Sequence, residues 1–403
     1  MITVTDATNI ILANTCDWGN ETIDLLNSTG RVLQEEIRAD RDFPPFHRVT
    51  MDGIAIAYED FKNGTSEFQI TGMQIAGNPP LAIGKRDQAI EIMTGGVLPE
   101  GTDTVIKYED LKINRGDTDV AHILESVSVN KGQNVHVQGS DRKMNDLLID
   151  KGVQINPAEI GILATIGKIN VKVSKLPKVA IISTGDELVP IDQQPLPHQI
   201  RISNAITLKT HLNTMGIDAN LFHLKDDRNI LVNELADILN VHDTLILSGG
   251  VSKGKADYVP EVLEQLGVSK LFHRVAQRPG KPFWFGVHGN KKCVFALPGN
   301  PISTYMCFVR YFIPWLHKSL GFEKHKLDAV LTEDINFSPD LTYFLQVKSV
   351  YSSDGVFIAI PEQGAGSGDL SNLIESNAFL ELPQNRQSFK AGEIFPVYQF
   401  KIF

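Results

Sequence analysis

The stretch LILSGGVSKGKADY, residues 245–258, decides the fold and indicates where a ligand binds. An apolar segment runs directly into two glycines, and two lysines, a third glycine and an aspartate follow. A continuous apolar run of this kind is typical of a strand that is buried on both faces of a parallel sheet. Because open α/β sheets bind ligands beyond the carboxyl ends of their strands, the stretch predicts a strand that ends in a binding loop.

The same strand and helix alternation surrounds this stretch. The predicted strands are KVAIIS, ANLFHL, TLILS and CVFALP, and the predicted helices are SNAITLKTHLNTMG, RNILVNELADILN, ADYVPEVLEQLG and PISTYMCFVRYFIPWLHKSLG. Ser203 is the expected N-cap of the first of these helices, and Gly216 is its expected end. Alternation of this kind predicts an open parallel sheet with helices on both faces.

The remainder of the chain has a different texture. A length of 403 residues predicts several domains. Residues 1–42 are predicted to be helical up to a proline pair, and residues 46–137 show short strands separated by Gly, Asn and Asp turns. Pro157 opens a further predicted helix, and the chain is β-patterned again from about residue 327, which predicts a small terminal barrel or sandwich.

Composition excludes some classes of function. The formal net charge of −10 argues against bulk nucleic-acid binding but leaves room for a local basic pocket that binds a small anion. Cys16, Cys293 and Cys307 show no zinc or disulfide spacing, which fits a reducing compartment, and the last two are predicted core residues. No apolar stretch approaches the roughly 20 residues of a membrane span, and no signal peptide is evident, so we expect a cytoplasmic protein without membrane association.

Three loops follow predicted strands of the α/β region, namely STGDEL (183–188), SGGVSKGKADY (248–258) and LPGNPIS (297–303). Each contains glycine and leads towards a helix, where backbone N–H groups and the helix dipole favour anions. Glycines that merely make tight turns are the alternative interpretation. Three such loops at one edge of a sheet favour a ligand site.

The second loop combines a flexible backbone with charge. The residues that allow it to wrap an anionic group are Ser248, Gly249, Gly250 and Gly254. Lys253 and Lys255 either supply positive charge or are simply solvated. Asp257 is either a helix cap or a Mg²⁺ ligand beside phosphate, and the residues alone leave both interpretations open. The spacing is not that of a Walker A motif.

Further candidate residues lie outside these loops. RPGKPFWFG (278–286) places Arg278 and Lys281 on either side of a Pro-Gly turn, as a second oxyanion site or as an ordinary surface turn. Asp52 in RVTMDGIAI and Thr94 in IMTGGVLPEGTDTVIKYED stand at turns, and from the residues alone ordinary turn chemistry is the favoured interpretation.

Six motifs that appear in order along the chain carry a family resemblance: FPPFHRVTMDGIAI, IMTGGVLPEGTDTVIKYED, VAIISTGDELV, LILSGGVSKGKADYVPEVLEQLG, RVAQRPGKPFWFG and FALPGNPIST. Together they resemble the MoeA-type molybdopterin molybdenumtransferases, to which the C-terminal part of gephyrin is related. The resemblance covers about residues 20–400. Each motif is weak alone, but the ordered set is specific.

The resemblance implies a multi-domain α/β and β fold. Its parts are an elongated helical and β stem built from residues 1–45 and 138–175, an inserted β-rich lid at 46–137, a MogA-like open α/β domain at 176–326 and a small C-terminal β-barrel at 327–403. It also implies a homodimer in which the lid of one subunit faces the α/β domain of the other. The molybdopterin adenylyltransferase is a candidate partner.

The reaction implied by the resemblance transfers molybdenum from molybdate to adenylylated molybdopterin and releases AMP, with Mg²⁺ assisting. The positions that match the family's catalytic residues are Asp52, Thr94, Asp141 and Glu187, and those that match metal ligands are Asp227 and Asp257. The substrate-binding positions are Ser183, Thr184, Gly185, Asp186, Ser248, Gly249, Gly250, Ser252, Lys253, Pro298, Asn300 and Pro301, with Arg278, Lys281 and Ser303 matching the molybdate site.

Some positions depart from the family pattern. Gln346 stands where an arginine often contacts molybdate, which predicts weaker molybdate affinity unless Lys348 substitutes for it. GSDRKMNDLL keeps Gly139 and Asp141 but lacks the usual later glycine. Two other functions remain: the adenylyltransferase step, against which the lid motifs argue, and a gephyrin-like scaffold, against which the retained acidic and basic site residues argue.

Overall fold

The computed structural model describes residues 1–251, 258–289, 292–323, 326–362, 364, 366 and 368–401. These residues form two compact units. Unit 1 comprises Met1–Glu35, Gly152–Ile160 and Ile169–Phe403, and unit 2 comprises Glu36–Lys151 and Gly161–Lys168. The predictions for Ser252, Lys253, Gly254, Lys255 and Asp257 lie outside the described residues. The four domain boundaries stay predictions.

The helices are short and mostly follow the predicted pattern. They are α1 (Val4–Ala13), α2 (Tyr58–Lys62), α3 (Pro157–Thr165), α4 (Asn204–Asn213), α5 (Arg228–Val241), α6 (Val259–Gln265), α7 (Pro301–Cys307), α8 (Ile313–Ser319) and α9 (Asn372–Glu375). Over the described ranges, none of them is long and apolar enough to cross a membrane.

The strands are, in chain order, β1 (Asn20–Asp24), β2 (Ile37–Arg38), β3 (Arg48–Val49), β4 (Gly53–Ile56), β5 (Glu67–Gln74), β6 (Gln88–Ile92), β7 (Thr104–Lys107), β8 (Leu111–Asn114), β9 (Val120–Ile123), β10 (Val135–His136), β11 (Leu147–Ile149), β12 (Asn170–Ser174), β13 (Val179–Thr184), β14 (Leu188–Val189), β15 (Ile200–Arg201), β16 (Asn220–Leu224), β17 (Thr244–Ser248), β18 (Val268–His273), β19 (Gln277–Arg278), β20 (Trp284–His288), β21 (Lys292–Leu297), β22 (Leu327–Leu331), β23 (Ile335–Asn336), β24 (Thr342–Tyr351), β25 (Phe357–Pro361), β26 (Ala378–Leu382), β27 (Ser388–Phe389) and β28 (Ile394–Gln399).

The central sheet of unit 1 has the strand order β16-β13-β17-β21-β20-β18. The first four strands are parallel, which confirms the predicted α/β arrangement. Two strands outside the predicted alternation, β20 and β18, extend this sheet and run antiparallel to their neighbours. His288 pairs with Lys292 across a short connection, and only antiparallel strands can be joined without a long crossover.

Successive residues of each buried strand pack on opposite sides of this sheet. Ile181 belongs to the core that includes Leu208 of α4, whereas Ile182 belongs to the core that includes Leu235 of α5. Burial on both faces explains why the strand sequences are continuously apolar. Cys293 and Cys307 are buried, as predicted. Cys16 is buried as well, and its Sγ lies 3.9 Å from Sγ of Cys293.

The helix predicted from Pro301 onward is interrupted in its centre. α7 continues into a π-helical turn, Phe308–Phe312, before α8 begins at Ile313. Pro314 has no N–H to donate to the preceding turn, and its ring clashes with a regular α-helical backbone. A π-helical turn before the proline accommodates this defect.

The C-terminal residues of unit 1 form a closed β-barrel, as expected. β24, β25, β22, β28 and β26 pair in that order, and β26 returns to pair with β24. β19 adds to the outer side of β24, with Gln277 opposite Thr342. The turn that carries Arg278 and Lys281 therefore begins within the barrel's sheet.

The prediction that residues 1–42 are helical is wrong. Only α1 is an α-helix, with Thr3 as its N-cap and Asn14 at its end. β1 follows and pairs antiparallel with β12, so that Asn20 lies opposite Ser174. Local helix propensity is a weak prior, and pairing with a strand about 150 residues later overrides it.

Unit 2 contains a second six-stranded sheet, in the order β7-β4-β6-β5-β9-β8. Its core includes Ile54, Phe68 and Ile106, all fully buried. The predicted short strands are confirmed, and a 3-10 turn, Tyr108–Asp110, separates β7 from β8. Two smaller pairs, β3 with β10 and β2 with β11, complete the unit.

Candidate active site

The three loops predicted to bind a ligand leave neighbouring strands at one edge of the central sheet. Ser183 of β13 lies opposite Ser248 of β17, and Ser248 lies opposite Leu297 of β21. The backbone N–H of Gly249 donates to the carbonyl of Leu297 at 3.2 Å. The structure therefore brings the three loops together, as the sequence predicted.

Gly249 and Gly250 lie directly against the end of β13. Gly249 has a φ of +104°, and a Cβ atom there would lie 2.7 Å from the carbonyl oxygen of Thr184. A Cβ at Gly250 would lie 2.9 Å from Oγ1 of Thr184. That hydroxyl is buried and has no hydrogen-bond partner among the described residues. Because buried polar groups are normally satisfied, an unsatisfied hydroxyl at a strand edge needs an acceptor, which a bound ligand would supply.

Asn204, the first residue of α4, joins two of these loops, and sequence reasoning missed it. Its Nδ2 atom donates to the carbonyl of Gly299 at 2.7 Å and to Oγ of Ser248 at 2.9 Å. Oγ1 of Thr304 lies 3.2 Å from the same nitrogen. In the sequence, Asn204 is marked only by its position just after Ser203, the predicted cap of α4. In the structure, the side chain of Ser203 makes no capping hydrogen bond.

The loop after β13 carries the predicted residues Asp186 and Glu187, both exposed. Gly185 has a φ of +142°, and its carbonyl accepts a hydrogen bond from Nε2 of His223 at 3.0 Å. The carboxylate of Glu187 folds back over this glycine, since a Cβ at Gly185 would lie 2.5 Å from Oε2. Glu187 thus presents its carboxylate over Gly185 and Asp186 is exposed beside it, while Ser183 and Thr184 are buried.

The loop after β21 is held by a threonine at the start of α7. The hydroxyl of Thr304 donates to the carbonyl of Pro298, which is buried. Asn300 and Pro301 stand at the beginning of α7, and Ser303 within it is only 4% exposed. Among these predicted binding residues, Asn300 is the exposed one.

The turn that carries Arg278 and Lys281 lies at the same edge of the sheet. Because β20 is antiparallel to β21, Trp284 at the start of β20 pairs with Ala296 near the end of β21. Lys281 lies three residues before Trp284 and is exposed. Arg278 in β19 is exposed as well, with its guanidinium 5.9 Å from the ring centroid of Phe337.

His273 is a further residue at this edge that the sequence did not reveal. It ends β18 opposite Trp284, and its Nε2 atom donates to the carbonyl of Val251 at 3.1 Å. Burial is the main cause that lowers the pKa of His273. The imidazole therefore favours the neutral form, and its hydrogen bond holds the backbone at Val251.

The predicted metal ligands receive little support from the described residues. Asp227 caps α5, because its Oδ1 atom accepts from the N–H groups of Asn229 at 2.9 Å and Ile230 at 3.0 Å. Asp257 lies outside the described residues. Within the described part of the chain, no group of three His, Cys, Asp or Glu side chains could hold a metal ion. These residues alone do not make a magnesium site.

Two predicted residues of unit 2, Asp52 and Thr94, are brought into direct contact. The backbone N–H and the hydroxyl of Thr94 both donate to Oδ1 of Asp52, at 2.6 and 2.8 Å. The backbone hydrogen bond, followed by that of the hydroxyl, lowers the pKa of Asp52. Both residues are exposed, so this pair presents a stable negative charge at the surface.

The third predicted residue of unit 2, Asp141, is paired with a histidine that the sequence did not reveal. Nδ1 of His136 lies 3.1 Å from Nη2 of Arg48 and must accept, because arginine only donates. Nε2 of His136 therefore carries the proton and donates to Oδ1 of Asp141 at 2.8 Å. This hydrogen bond is the largest cause that lowers the pKa of Asp141.

Gln346 lies in β24 and is 9% exposed. Its Oε1 atom is buried and has no hydrogen-bond partner over the described ranges, whereas Lys348 is exposed. An amide supplies no charge, so the predicted weaker molybdate binding at this position stays a prediction.

Comparisons with known proteins agree with this architecture along the whole chain. Residues 2–167 match the model of the MoeA N-terminal region (domain I and II), residues 180–318 that of a probable molybdopterin binding domain, and residues 328–400 that of the MoeA C-terminal region (domain IV). Two solved structures of the molybdopterin biosynthesis MoeA protein from Pyrococcus horikoshii are 30% and 28% identical to this chain. They cover 100% and 99% of this chain and 100% of their own, with TM-scores of 0.84 and 0.82.

Curated sequences give the same result. A protein named molybdopterin molybdenumtransferase from Synechocystis sp. is 41% identical over 99% of this chain and 100% of its own length. A protein of the same name from Staphylococcus epidermidis is 31% identical over 98% of this chain and 95% of its own. With these full-length relatives and the matching domains, the chain belongs to the MoeA family of molybdopterin molybdenumtransferases.

Proposed function

We propose that this chain is a molybdopterin molybdenumtransferase, which transfers molybdenum from molybdate to adenylylated molybdopterin and releases AMP. The observation that carries the proposal is the edge where β13, β17 and β21 end. There, Gly249 and Gly250 lie against Thr184, whose buried hydroxyl has no partner within the part of the chain that the structure describes. A phosphate group of the nucleotide has the acceptor oxygens that such a hydroxyl requires.

The roles of the other residues follow from their chemistry. Molybdate is a tetrahedral dianion, and Arg278 and Lys281 supply exposed positive charge at the same edge. Ser303 is assigned to molybdate with them. Asn204 positions Ser248 and the carbonyl of Gly299, so the loops are held in place before the substrate binds. Preorganisation of this kind reduces the entropy that binding would otherwise cost.

Magnesium, or another divalent ion, belongs to the proposal through Asp227 and Asp257. When bound, such an ion would neutralise phosphate charge and polarise the bond to AMP. Chelation with EDTA followed by addition of Mg²⁺ tests this part. Loss and recovery of AMP release would support it, and unchanged release after chelation would contradict it.

The functional assembly is proposed to be a cytoplasmic homodimer. Asp52, Thr94 and Asp141 are assigned to the catalytic lid, and the expectation that a lid faces the α/β domain of a second subunit stays a prediction. Light scattering at micromolar concentration should give twice the chain mass of 44.5 kDa. A fully active monomer would contradict the dimer.

The alternative functions are less well supported. An adenylyltransferase corresponds to the α/β part alone, whereas this chain also matches the MoeA N-terminal and C-terminal regions. A purely structural scaffold does not need the buried, unpaired hydroxyl of Thr184 at a strand edge.

The decisive experiment measures AMP release from adenylylated molybdopterin by the purified chain, with and without molybdate. Release that depends on molybdate and is accompanied by molybdenum bound to the pterin is expected. AMP release that does not depend on molybdate, or adenylylation of molybdopterin from ATP instead, would overturn the proposal.

A further inference from the structure

A buried chain of contacts leads from the interrupted helix to the turn that carries Arg278 and Lys281. Gln277, immediately before this turn, is fully buried. Its Nε2 atom donates to the carbonyl of Gly280 at 3.0 Å, and its Oε1 atom accepts a hydrogen bond from the hydroxyl of Tyr311. Both polar ends of this buried amide are therefore occupied, one by the turn and the other by the helix.

Tyr311 reaches Gln277 from the π-helical turn, Phe308–Phe312. A π-helical turn changes the rotation between the residues before and after it, so it determines which face of the helix a side chain presents. Pro314 explains why the turn forms at this place. Burial raises the pKa of Tyr311, so its hydroxyl remains a proton donor.

The cationic turn is packed against the same helix without spare room. Gly280 has a φ of +89°, and a Cβ atom there would lie 2.7 Å from Sγ of Cys307 and 2.9 Å from Cε of Met306. Nε2 of Gln277 lies 3.4 Å from Sγ of Cys307. The backbone of the turn is thus seated on α7, while the cationic side chains of Arg278 and Lys281 stay exposed.

We infer that Tyr311 and Gln277 are positioning residues that hold the Arg278–Lys281 turn in the geometry that binds an oxyanion. The inference rests on the proposed function, since it takes molybdate as the anion at this turn. Neither side chain is placed against the substrate. They act through the carbonyl of Gly280, and a turn held in advance loses less conformational entropy when the anion binds.

The test uses Tyr311→Phe, which removes the hydroxyl and keeps the ring. The matched control is Tyr305→Phe in the same helical run, because Tyr305 is also buried but its hydroxyl bonds Nδ1 of His211 at 3.0 Å. Tyr311→Phe should raise the molybdate concentration for half-maximal AMP release by about 2- to 10-fold, or about 0.4–1.4 kcal/mol, the range of one hydrogen bond. Binding of adenylylated molybdopterin should not change, and Tyr305→Phe should change neither quantity.

A second measurement does not depend on activity. Hydrogen exchange of the substrate-free protein reports on the turn through the N–H of Val275, which donates to the carbonyl of Lys281 at 3.0 Å. Exchange there should be faster in Tyr311→Phe than in Tyr305→Phe. Gln277→Glu provides a second variant, because it still accepts from Tyr311 but no longer donates to Gly280, and it should also accelerate this exchange.

The outcomes separate the inference from the proposed function. A wild-type molybdate response and wild-type exchange in Tyr311→Phe, with a weakened molybdate response in Lys281→Ala, would overturn the positioning role and leave the function standing. If the wild-type chain shows no molybdate-dependent release, the proposed function fails. In that case unchanged exchange in both Tyr311→Phe and Gln277→Glu would also overturn the positioning role.

Discussion

Thr94 donates its backbone N–H and its hydroxyl to the same carboxylate oxygen of Asp52, at 2.6 and 2.8 Å. The two residues are 42 positions apart in the chain and meet because β4 and β6 pair in unit 2. Both hydrogen bonds favour the ionised carboxylate, which is why the pKa of Asp52 is lowered. The pair is therefore a charge held by local geometry rather than by burial.

Thr94→Val should raise the pKa of Asp52 only part of the way towards its ordinary value of 3.8, because the larger contribution, from the backbone N–H, remains. NMR titration of the Asp52 carboxyl group measures this, and Thr94→Ser is the control that keeps the hydroxyl. Since the folded pKa is depressed, the stabilisation is complete above pH 3.8 and is lost as the pH falls through the lowered pKa. Identical titrations of the Val and Ser variants would contradict the role of the hydroxyl.

Gly249→Ala should weaken nucleotide binding and stability together. Its left-handed φ and the 2.7 Å approach of a Cβ to the carbonyl of Thr184 both oppose a side chain. The left-handed conformation alone costs about 1–2 kcal/mol. Gly116→Ala is the control, since a Cβ there meets nothing within 4 Å, and it should change stability by less than about 0.5 kcal/mol. Calorimetric titration with adenylylated molybdopterin and thermal unfolding measure the two effects. Equal affinity and equal stability of the Gly249→Ala and Gly116→Ala variants would contradict the proposed role of Gly249 in nucleotide binding.

Lys281→Ala should affect molybdate and spare the nucleotide. A charge-assisted hydrogen bond contributes about 1.5–3 kcal/mol, which corresponds to about a 10- to 150-fold increase in the molybdate concentration for half-maximal turnover. Lys270→Ala is the control, because that exposed lysine of β18 pairs with Glu264 of α6 at 2.6 Å. Gln346→Arg in the Lys281→Ala background should partly restore the response. A loss of nucleotide affinity with an unchanged molybdate response would show that the turn does not bind molybdate.

Glu381→Gln should strongly destabilise the barrel. Nε of Arg310 lies 2.7 Å from Glu381 Oε2, and the two side chains are only 10% and 19% exposed. Removing one partner of a buried pair costs about 3–5 kcal/mol, because the other charge stays buried without compensation. The control is Glu393→Gln, whose partner Arg386 is 40% exposed and whose loss should cost about 0–1 kcal/mol. Urea-dependent hydrogen exchange of β26 and β28 compares the stability of the Glu381→Gln and Glu393→Gln variants. Similar urea midpoints for the two variants would contradict the prediction.

Much of the α/β part of the fold could be predicted from the sequence. Continuous apolar runs such as KVAIIS and TLILS have to be buried on both faces, which only a covered sheet provides. The carboxyl ends of parallel strands meet at one edge of the sheet. The three glycine-containing loops that follow such strands were therefore predictable at that edge. The six ordered motifs and the β-patterned C-terminal residues led to the family and the barrel for the same reason: they are local patterns.

Only the tertiary structure decided which distant residues meet. His136 joins Arg48 to Asp141, and Gln277 joins Tyr311 to the cationic turn, although no local pattern marks either residue. The residues after α1 form β1 rather than helix because β12 pairs with them, and β20 reverses direction because a short hairpin leads into β21. Side-chain hydrogen bonds and strand pairing depend on partners that the chain brings close only when it folds, whereas apolar periodicity and turn residues act on their own neighbours.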